Sequence, residues 1–359
     1  MKADVMKRLI LAAGGTGGHI WPALSFGMWV SENHPECAVR YMCGARRLEL
    51  DIYKAAGVDP FVLPIEGSPL SGDVAEKFKR FGCMVSAFQK ARKGVDSFKP
   101  DAALLFGGYL SFPVMLSCKK YKVRCLIHEQ NVYAGRVTRF ASKNGILVLS
   151  GWNECVPIKK NRYKYVGIPV RNFDIIERAA AWRDLGLGEC VPTGRIAVVF
   201  TGSLGSVSVK NIICKIAESE MLREWTFVLP AVTEMPERPS DNVILLPRVW
   251  NTSLLYSLAD VLVVRAGGST LAEARELGIP AVVIPCSRAT DNHQLKNAQL
   301  FVKENNGIML KEDEMESRLA DVLSGIGEKS GTKCVSPYNH REAVCSRLWD
   351  EIWNCRECK

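Results

Sequence analysis

The chain has 359 residues, 47% hydrophobic and 24% charged, a composition that suits a globular protein of two domains and excludes a disordered or fibrous one. The formal net charge of +9 is uneven: residues 1–170 hold 25 Lys+Arg against 13 Asp+Glu, and residues 171–359 hold 22 against 25, so a polyanionic partner is expected for the first half alone. Thirteen cysteines, several of them in apolar runs like Cys125, Cys214 and Cys286, read as a reduced chain that uses thiols as small hydrophobes.

The first apolar run, Leu9 to Ala13, stops at Gly14 and Gly15 and is shorter than a secretory signal requires. No later run approaches the length that spans a bilayer, so a cytoplasmic protein is expected. Strands are predicted at Arg8–Ala13, Val39–Met42, Ala102–Phe106, Arg124–His128 and Ile146–Leu149, with helical patterns between them. Short, continuously apolar strands separated by helices mark a parallel sheet covered on both faces.

Gly14-Gly-Thr-Gly-Gly-His19 leads from the first strand into a helix predicted to start near Pro22, a residue suited to a first turn. Glycines let the backbone approach an anion, and the amides of a helix N-terminus add partial positive charge. Ile20 stands where a dinucleotide fingerprint needs its last glycine, so phosphate binding is expected and NAD is not. His19 closes this loop. A neutral imidazole is the natural general base near pH 7, although a histidine that only caps the loop would look the same in sequence.

Asp73 and Glu76 have capping-box spacing for a helix running to about Lys93. Along it Val74, Phe78, Phe81, Val85 and Phe88 recur on one face, flanked by Lys77, Lys79, Arg80, Lys90, Arg92 and Lys93. Cations beside exposed aromatics suit an anionic lipid surface, at about 1 kcal/mol each. The same stripe would also serve as a core face with solvated lysines outside. The charge excess of the first half favours the membrane.

Gly and Pro interrupt the pattern at Val166-Gly-Ile-Pro-Val-Arg171, which divides the chain into domains 1–168 and 169–334, followed by a closing segment 335–359. Strands are predicted again at Arg195–Thr201, Thr226–Leu229, Val243–Leu245, Val261–Arg265 and Ala281–Ile284. Two such series imply an α/β protein of two doubly wound domains, with ligands beyond the carboxyl ends of the strands. Thr201-Gly-Ser-Leu-Gly-Ser206 would form an anion nest around Ser203, or a plain turn whose serine caps a helix at Val207–Ser219. In Arg265-Ala-Gly-Gly-Ser-Thr-Leu-Ala-Glu273, Thr270 and Glu273 fit a capping box, and a carboxylate one turn into such a helix also suits the two hydroxyls of a ribose. Asp291-Asn-His-Gln-Leu-Lys-Asn297 adds a polar cluster to the same pocket. A last helix, Val335–Cys358, carries Trp349 and Trp353, has no strand after it, and could pack on either domain. Cys355-x-x-Cys358, with Cys345 and His340 upstream, fits no familiar zinc spacing, and no Asp-x-Asp motif occurs. Neither metal nor cofactor is expected, and a departing diphosphate would rely on helix N-termini with Arg265 or Arg171.

In this order, and over nearly the whole chain, these segments resemble the MurG family, peptidoglycan GlcNAc transferases whose GT-B fold pairs two Rossmann-like domains about an interdomain cleft. The resemblance rests on Gly14 to His19, Phe106-Gly-Gly-Tyr-Leu-Ser-Phe-Pro113, His128-Glu-Gln-Asn131, Gly167 to Arg171, Thr201 to Gly205, Arg265 to Glu273 and Asp291 to Ala298. His-Glu-Gln-Asn combined with Gly-Gly-Tyr is its specific part. It implies an inverting, metal-independent transfer of GlcNAc from UDP-GlcNAc to the C4 hydroxyl of MurNAc in lipid I. The products are lipid II and UDP, formed by a peripheral protein on the cytoplasmic face of the cell membrane.

On these residues the resemblance would make His19 the base and would set Thr16, Gly17, Gly18 and Asn131 near the transferred sugar and the acceptor diphosphate. Tyr109 would lie on the acceptor side. Arg171, Ser203, the Trp250 backbone, Arg265, Gly268, Ser269, Thr270, Leu271, Ala272, Glu273, His293 and Gln294 would line the donor site, with Glu273 on the ribose. Phe78, Phe81, Phe88, Lys77 and Arg80 would meet the anionic membrane, and segment 335–359 would return to the N-terminal domain. Other cell-wall synthesis proteins are further implied partners; nucleic acid is not. Ile168, Leu204 and Thr201 depart from the family's usual Asn, Gln and Gly, which leaves the donor contacts near Leu204 least secure. Two other readings share the UDP pocket. A transferase acting on diacylglycerol would not be expected to carry the two specific segments, and a catalytically silent UDP-sugar-binding scaffold would have no need of both His19 and Glu273.

Overall fold

A strand that is apolar on both faces is stable only when helices cover both sides of its sheet, and parallel order follows from the helical crossovers. The computed structural model describes residues 6–67, 74–202, 207–231, 240–304, 307–327 and 340–353, without the side chains of 74–81, 290, 327 and 340. The chain divides into two compact units, Met1–Arg171 with Asn339–Lys359, and Asn172–Tyr338.

The first unit holds β1 (Lys7–Ala12), β2 (Cys37–Cys43), β3 (Phe61–Val62), β4 (Ala102–Leu105), β5 (Arg124–Glu129), β6 (Val148–Ser150) and β7 (Tyr163–Tyr165), in the order β3-β2-β1-β4-β5-β6-β7. The second holds β8 (Arg195–Phe200), β9 (Trp225–Leu229), β10 (Val243–Leu245), β11 (Val261–Val264), β12 (Ala281–Val283) and β13 (Gly307–Met309), in the order β10-β9-β8-β11-β12-β13. Every pairing between these strands is parallel. All ten predicted strands are present within a residue or two. The three that were not predicted, β3, β7 and β13, are two or three residues long and stand at sheet edges, where only one neighbour and little apolar burial mark them.

In each unit the strand order reverses once, between β1 and β4 and between β8 and β11. Loops leaving the carboxyl ends of those strands run in opposite directions and leave a crevice between them.

The helix Val74–Phe98 is longer than predicted, and Ala87, Ala91 and Val95 on it are buried in the core of the first unit. On this side the helix packs against the helix Ser111–Lys120. Val85 is consequently 47% exposed and Phe88 half-buried, with the Arg92 guanidinium 5.8 Å from its ring. Of the predicted stripe, the side chains of Val74, Phe78 and Phe81, with Lys77, Lys79 and Arg80, lie outside the described residues.

Within the first unit the helix His340–Trp353 packs by aromatic contacts. Trp349 stacks on His34 at 3.7 Å, Lys7 sits over Trp349 and Trp353 at 5.0 and 5.2 Å, and Trp29 Nε1 donates to Glu342 Oε2 at 2.7 Å. Cys345 is fully buried there; Cys355 and Cys358 lie outside the described residues. No helix among the described residues is long and apolar enough to cross a membrane.

Candidate active site

After β1 the glycine run itself winds into the helix Gly17–Asn33. His19 N and Ile20 N both donate to Thr16 O, at 3.1 and 3.3 Å. Pro22 therefore lies inside the helix and not at its start, because Gly17 and Gly18 already form the first turn. The Thr16 hydroxyl makes no cap bond. Beneath the loop lies Glu49, fully buried, which accepts from Gly44 N at 2.8 Å and from the Tyr109 hydroxyl. A Cβ on Gly14 would stand 2.6 Å from Glu49 Oε2, so this carboxylate dictates glycine there. Tyr53 Oη donates to Ala13 O at 3.2 Å, and Arg46 Nη1 to Gly15 O at 3.2 Å. Burial and the neighbouring Glu49 charge push the Tyr109 phenol far up, so it stays a hydroxyl donor that ties the loop after β4 to this floor.

The loop after β4 passes the His19 ring through Gly107 and Gly108, at φ +78° and +71°. A Cβ on Gly108 would also press Gly14 O at 3.2 Å, so only glycine fits. The third wall comes from the end of β5, where successive side chains alternate in direction. On one side Glu129, 2% exposed, accepts from Asn131 N and Nδ2 at 3.0 and 3.1 Å, from Gly135 N at 2.9 Å and from Thr138 Oγ1 at 2.6 Å. Asn131 is thus fixed in place. On the other side His128 and Gln130 form a line to His19, whose Nδ1 lies 2.6 Å from Gln130 Oε1. Burial pulls His128 down to about 4, so it is neutral near pH 7. Arg171 lies over the Trp21 ring at 4.4 Å, in the first unit.

In the second unit the loop after β11 opens into the helix Gly268–Glu276, with Gly267 as N-cap. Its first turn, Gly268, Ser269 and Thr270, brings amides to the carboxyl edge of the sheet, the geometry that favours an anion. Thr270 is inside the helix, so the capping box predicted with Glu273 does not form. Glu273, 6% exposed, instead accepts from Tyr256 Oη at 2.5 Å. Leu271 is fully buried with its amide on Gly267 O, and Ala272 is buried too, so neither offers a side chain to a ligand. Arg265, 9% exposed, donates to Glu312 Oε1 at 2.9 Å and to Ile284 O at 3.4 Å. With Ser208 also donating at 2.8 Å, these bonds hold Glu312 at about 2. The charge expected to serve a diphosphate is already paired.

Asp291 and Asn292 adopt φ +55° and +52°, a left-handed pair that turns the chain into the helix His293–Glu304. Gln294 Oε1 accepts from Cys286 N at 2.9 Å, and Asn297 Nδ2 donates to Ala266 O at 3.0 Å, which joins this helix to the β11 loop. His293 is half-buried beside them. Trp250 gives its carbonyl to Thr252 N at 3.1 Å, under the Arg248 guanidinium at 5.4 Å. Ser203 and Leu204 lie outside the described residues.

Glu49, Gln130, Tyr256 and Glu312 carry this geometry and were not assigned roles from sequence. The i, i+2 spacing of His128 and Gln130 at a strand end was a usable signal. Nothing local ties Glu49 to Tyr109, 60 residues away, or Tyr256 to Glu273, 17 residues away.

Residues 9–145 match the glycosyltransferase family 28 N-terminal domain and residues 196–335 the glycosyltransferase family 28 C-terminal domain. A UDP-N-acetylglucosamine--N-acetylmuramyl-(pentapeptide) pyrophosphoryl-undecaprenol N-acetylglucosamine transferase of Pediococcus pentosaceus is 32% identical over 323 residues, 86% of this chain and 87% of that one. The chain belongs to the MurG family. A transferase of the same name from Lactococcus lactis is 29% identical, over 90% of this chain and 91% of its own. Among solved structures, Acinetobacter baumannii MurG matches 97% of this chain and 99% of its own at a TM-score of 0.65 and 20% identity. The glycotransferase of kitacinnamycin matches at 0.64 and 14%. Both belong with the GT-B architecture, which this chain shares.

Proposed function

We propose that this protein transfers N-acetylglucosamine from UDP-N-acetylglucosamine to lipid I, forming lipid II and UDP in peptidoglycan synthesis. The observation that carries the reading is His19, held through Nδ1 by Gln130 in a glycine loop at the switch point of the first sheet, in a chain whose relatives bear the name of that transferase.

In this reading the first unit handles the acceptor. The loop at Thr16, Gly17 and Gly18 lies at the lipid diphosphate and the transferred sugar, Asn131 lies at the GlcNAc, and His19 Nε2 receives the proton of the C4 hydroxyl. The oxygen so freed forms its bond to C1 of GlcNAc while the C1–O bond to the diphosphate breaks, and that electron pair leaves on UDP. One displacement inverts C1. The second unit handles the donor: Glu273 holds the ribose hydroxyls, the amides of Gly268 to Thr270 meet the diphosphate, and His293 and Gln294 line the UDP site. Fixed dipoles of this kind stabilise developing charge without reorganisation. Arg265 or Arg171 supplies the cation for the leaving group. The basic first unit, with Val85 and Phe88 turned off its core, rests peripherally on the anionic face of the cell membrane.

The purified chain is expected to transfer labelled GlcNAc to a lipid I analogue with EDTA present. Absence of that product together with clear transfer to diacylglycerol would replace this reading by its nearest rival.

A further inference from the structure

Three side chains behind His19 form a directional line of hydrogen bonds whose polarity is fixed at its far end. His128 Nε2 lies 2.8 Å from Gly167 O, and a carbonyl only accepts, so this nitrogen carries the proton. His128 is fully buried and neutral, which leaves its Nδ1 an acceptor. Gln130 Nε2 lies 2.8 Å from that Nδ1 and 3.1 Å from His128 O, two acceptors that both call for the amide NH2. The Gln130 amide therefore cannot turn over, and its oxygen faces His19 Nδ1 at 2.6 Å. An oxygen in that place requires a proton on Nδ1. Neutral His19 then has its lone pair on Nε2.

We infer that Gln130, oriented by His128 and Gly167 O, is a positioning residue that locks His19 in the Nδ1–H tautomer and so presents Nε2 as the proton acceptor. This rests on the reading of His19 as the base. When Nε2 takes the acceptor proton, the imidazolium keeps its Nδ1–H on the Gln130 oxygen, and no proton passes along the line. The relay differs from a carboxylate behind a histidine in being neutral throughout. It selects a tautomer and a ring orientation without holding a charge against the ring. The charged and titratable groups around the ring lie on other elements: Tyr109, Arg46 and Glu49 about the glycine loop, and His128 behind Gln130.

The direct test needs no variant. The chain has five histidines, so 15N spectra of the histidine-labelled full-length protein can be assigned, with His19 identified by its loss in His19→Gln. The expected result is a protonated Nδ1 and an unprotonated Nε2 on His19 at neutral pH. A protonated Nε2 in an enzyme that transfers GlcNAc would overturn the relay. In Gln130→Met, similar in length and without an acceptor, His19 should become a tautomer mixture and kcat should fall about tenfold to a hundredfold. The donor KM should stay within about twofold. A Gln130→Met enzyme that keeps both its kcat and a single His19 tautomer overturns the inference, as does one whose only change is in KM. Failure of the wild type to transfer GlcNAc at all, with Nδ1–H observed, would overturn the reading of the reaction and not the relay's assignment of the tautomer.

Discussion

Glu273, proposed above to hold two ribose hydroxyls, is restrained by Tyr256. Its hydroxyl reaches Glu273 Oε2, while its ring is braced edge-on by Phe173 at 5.0 Å and tilted against Phe200 at 5.4 Å. Glu273→Gln exchanges one acceptor oxygen for a donor in a nearly buried position. Hydrogen bonds to charged groups contribute about 1.5–3 kcal/mol, so the donor KM should rise about tenfold or more with kcat little changed. Steady-state kinetics against UDP-GlcNAc check this, and an unaltered donor KM would remove Glu273 from the ribose. At this scale the sequence marked His19 and Glu273 as candidates by type and spacing. It left Glu273 divided between capping and binding because the start of a helix among three small residues has no sharp local mark. Only the register of Gly268 in the first turn moves Thr270 inside and leaves Glu273 one turn deep. Glu49 was not legible at all, since what gives it meaning is the absence of a Cβ at Gly14.

The helix Val74–Phe98 shows what periodicity delivers and what it does not. Its helical character followed from spacing although it runs on to Phe98, and its large apolar residues defined one possible inner face. Among the described side chains the buried face is instead Ala87, Ala91 and Val95, in the core shared with the helix Ser111–Lys120. Val85 and Phe88 remain outside, in company with Arg92. Val85→Ser/Phe88→Ser should therefore leave the thermal melt near that of the wild type but weaken sedimentation with vesicles containing phosphatidylglycerol severalfold at low salt. Undiminished vesicle binding would detach this face from the membrane. The edge strands β3, β7 and β13 escaped prediction for a related reason: a strand with one neighbour needs little apolar patterning to form.

For the molecule as a whole, alternation of apolar runs with helices was enough to foresee two doubly wound units, and with them the ends of the strands at which ligands collect. The exact strand order was not in the pattern, and it is the order that puts β1 beside β4 and brings the glycine loop, Gly107 and Gln130 to one ring. The same assembly entails a pH dependence. His128 is held at about 4 in the fold, against about 6.5 when unfolded, so the unfolded chain binds more protons between these values. Its contribution is fully present above pH 6.5 and is lost as the pH falls towards 4, amounting to about 3 kcal/mol. Urea unfolding of the first unit at pH 7, 5.5 and 4 should show this decline, and His128→Phe should flatten it. Equal slopes in both proteins would assign the acid sensitivity to other groups.

The first unit is composed of chain segments that lie on either side of the second, with Trp29 and His34 of the early segment covered by Glu342 and Trp349 of the late one. During synthesis the ribosome delivers those partners in succession, some three hundred residues apart. The second unit is translated whole and can fold while the first still lacks its covering helix. A product truncated after the second unit would lack the residues that cover Trp29 and His34. Completion of the first unit therefore waits on a segment that is made only after the whole of the second.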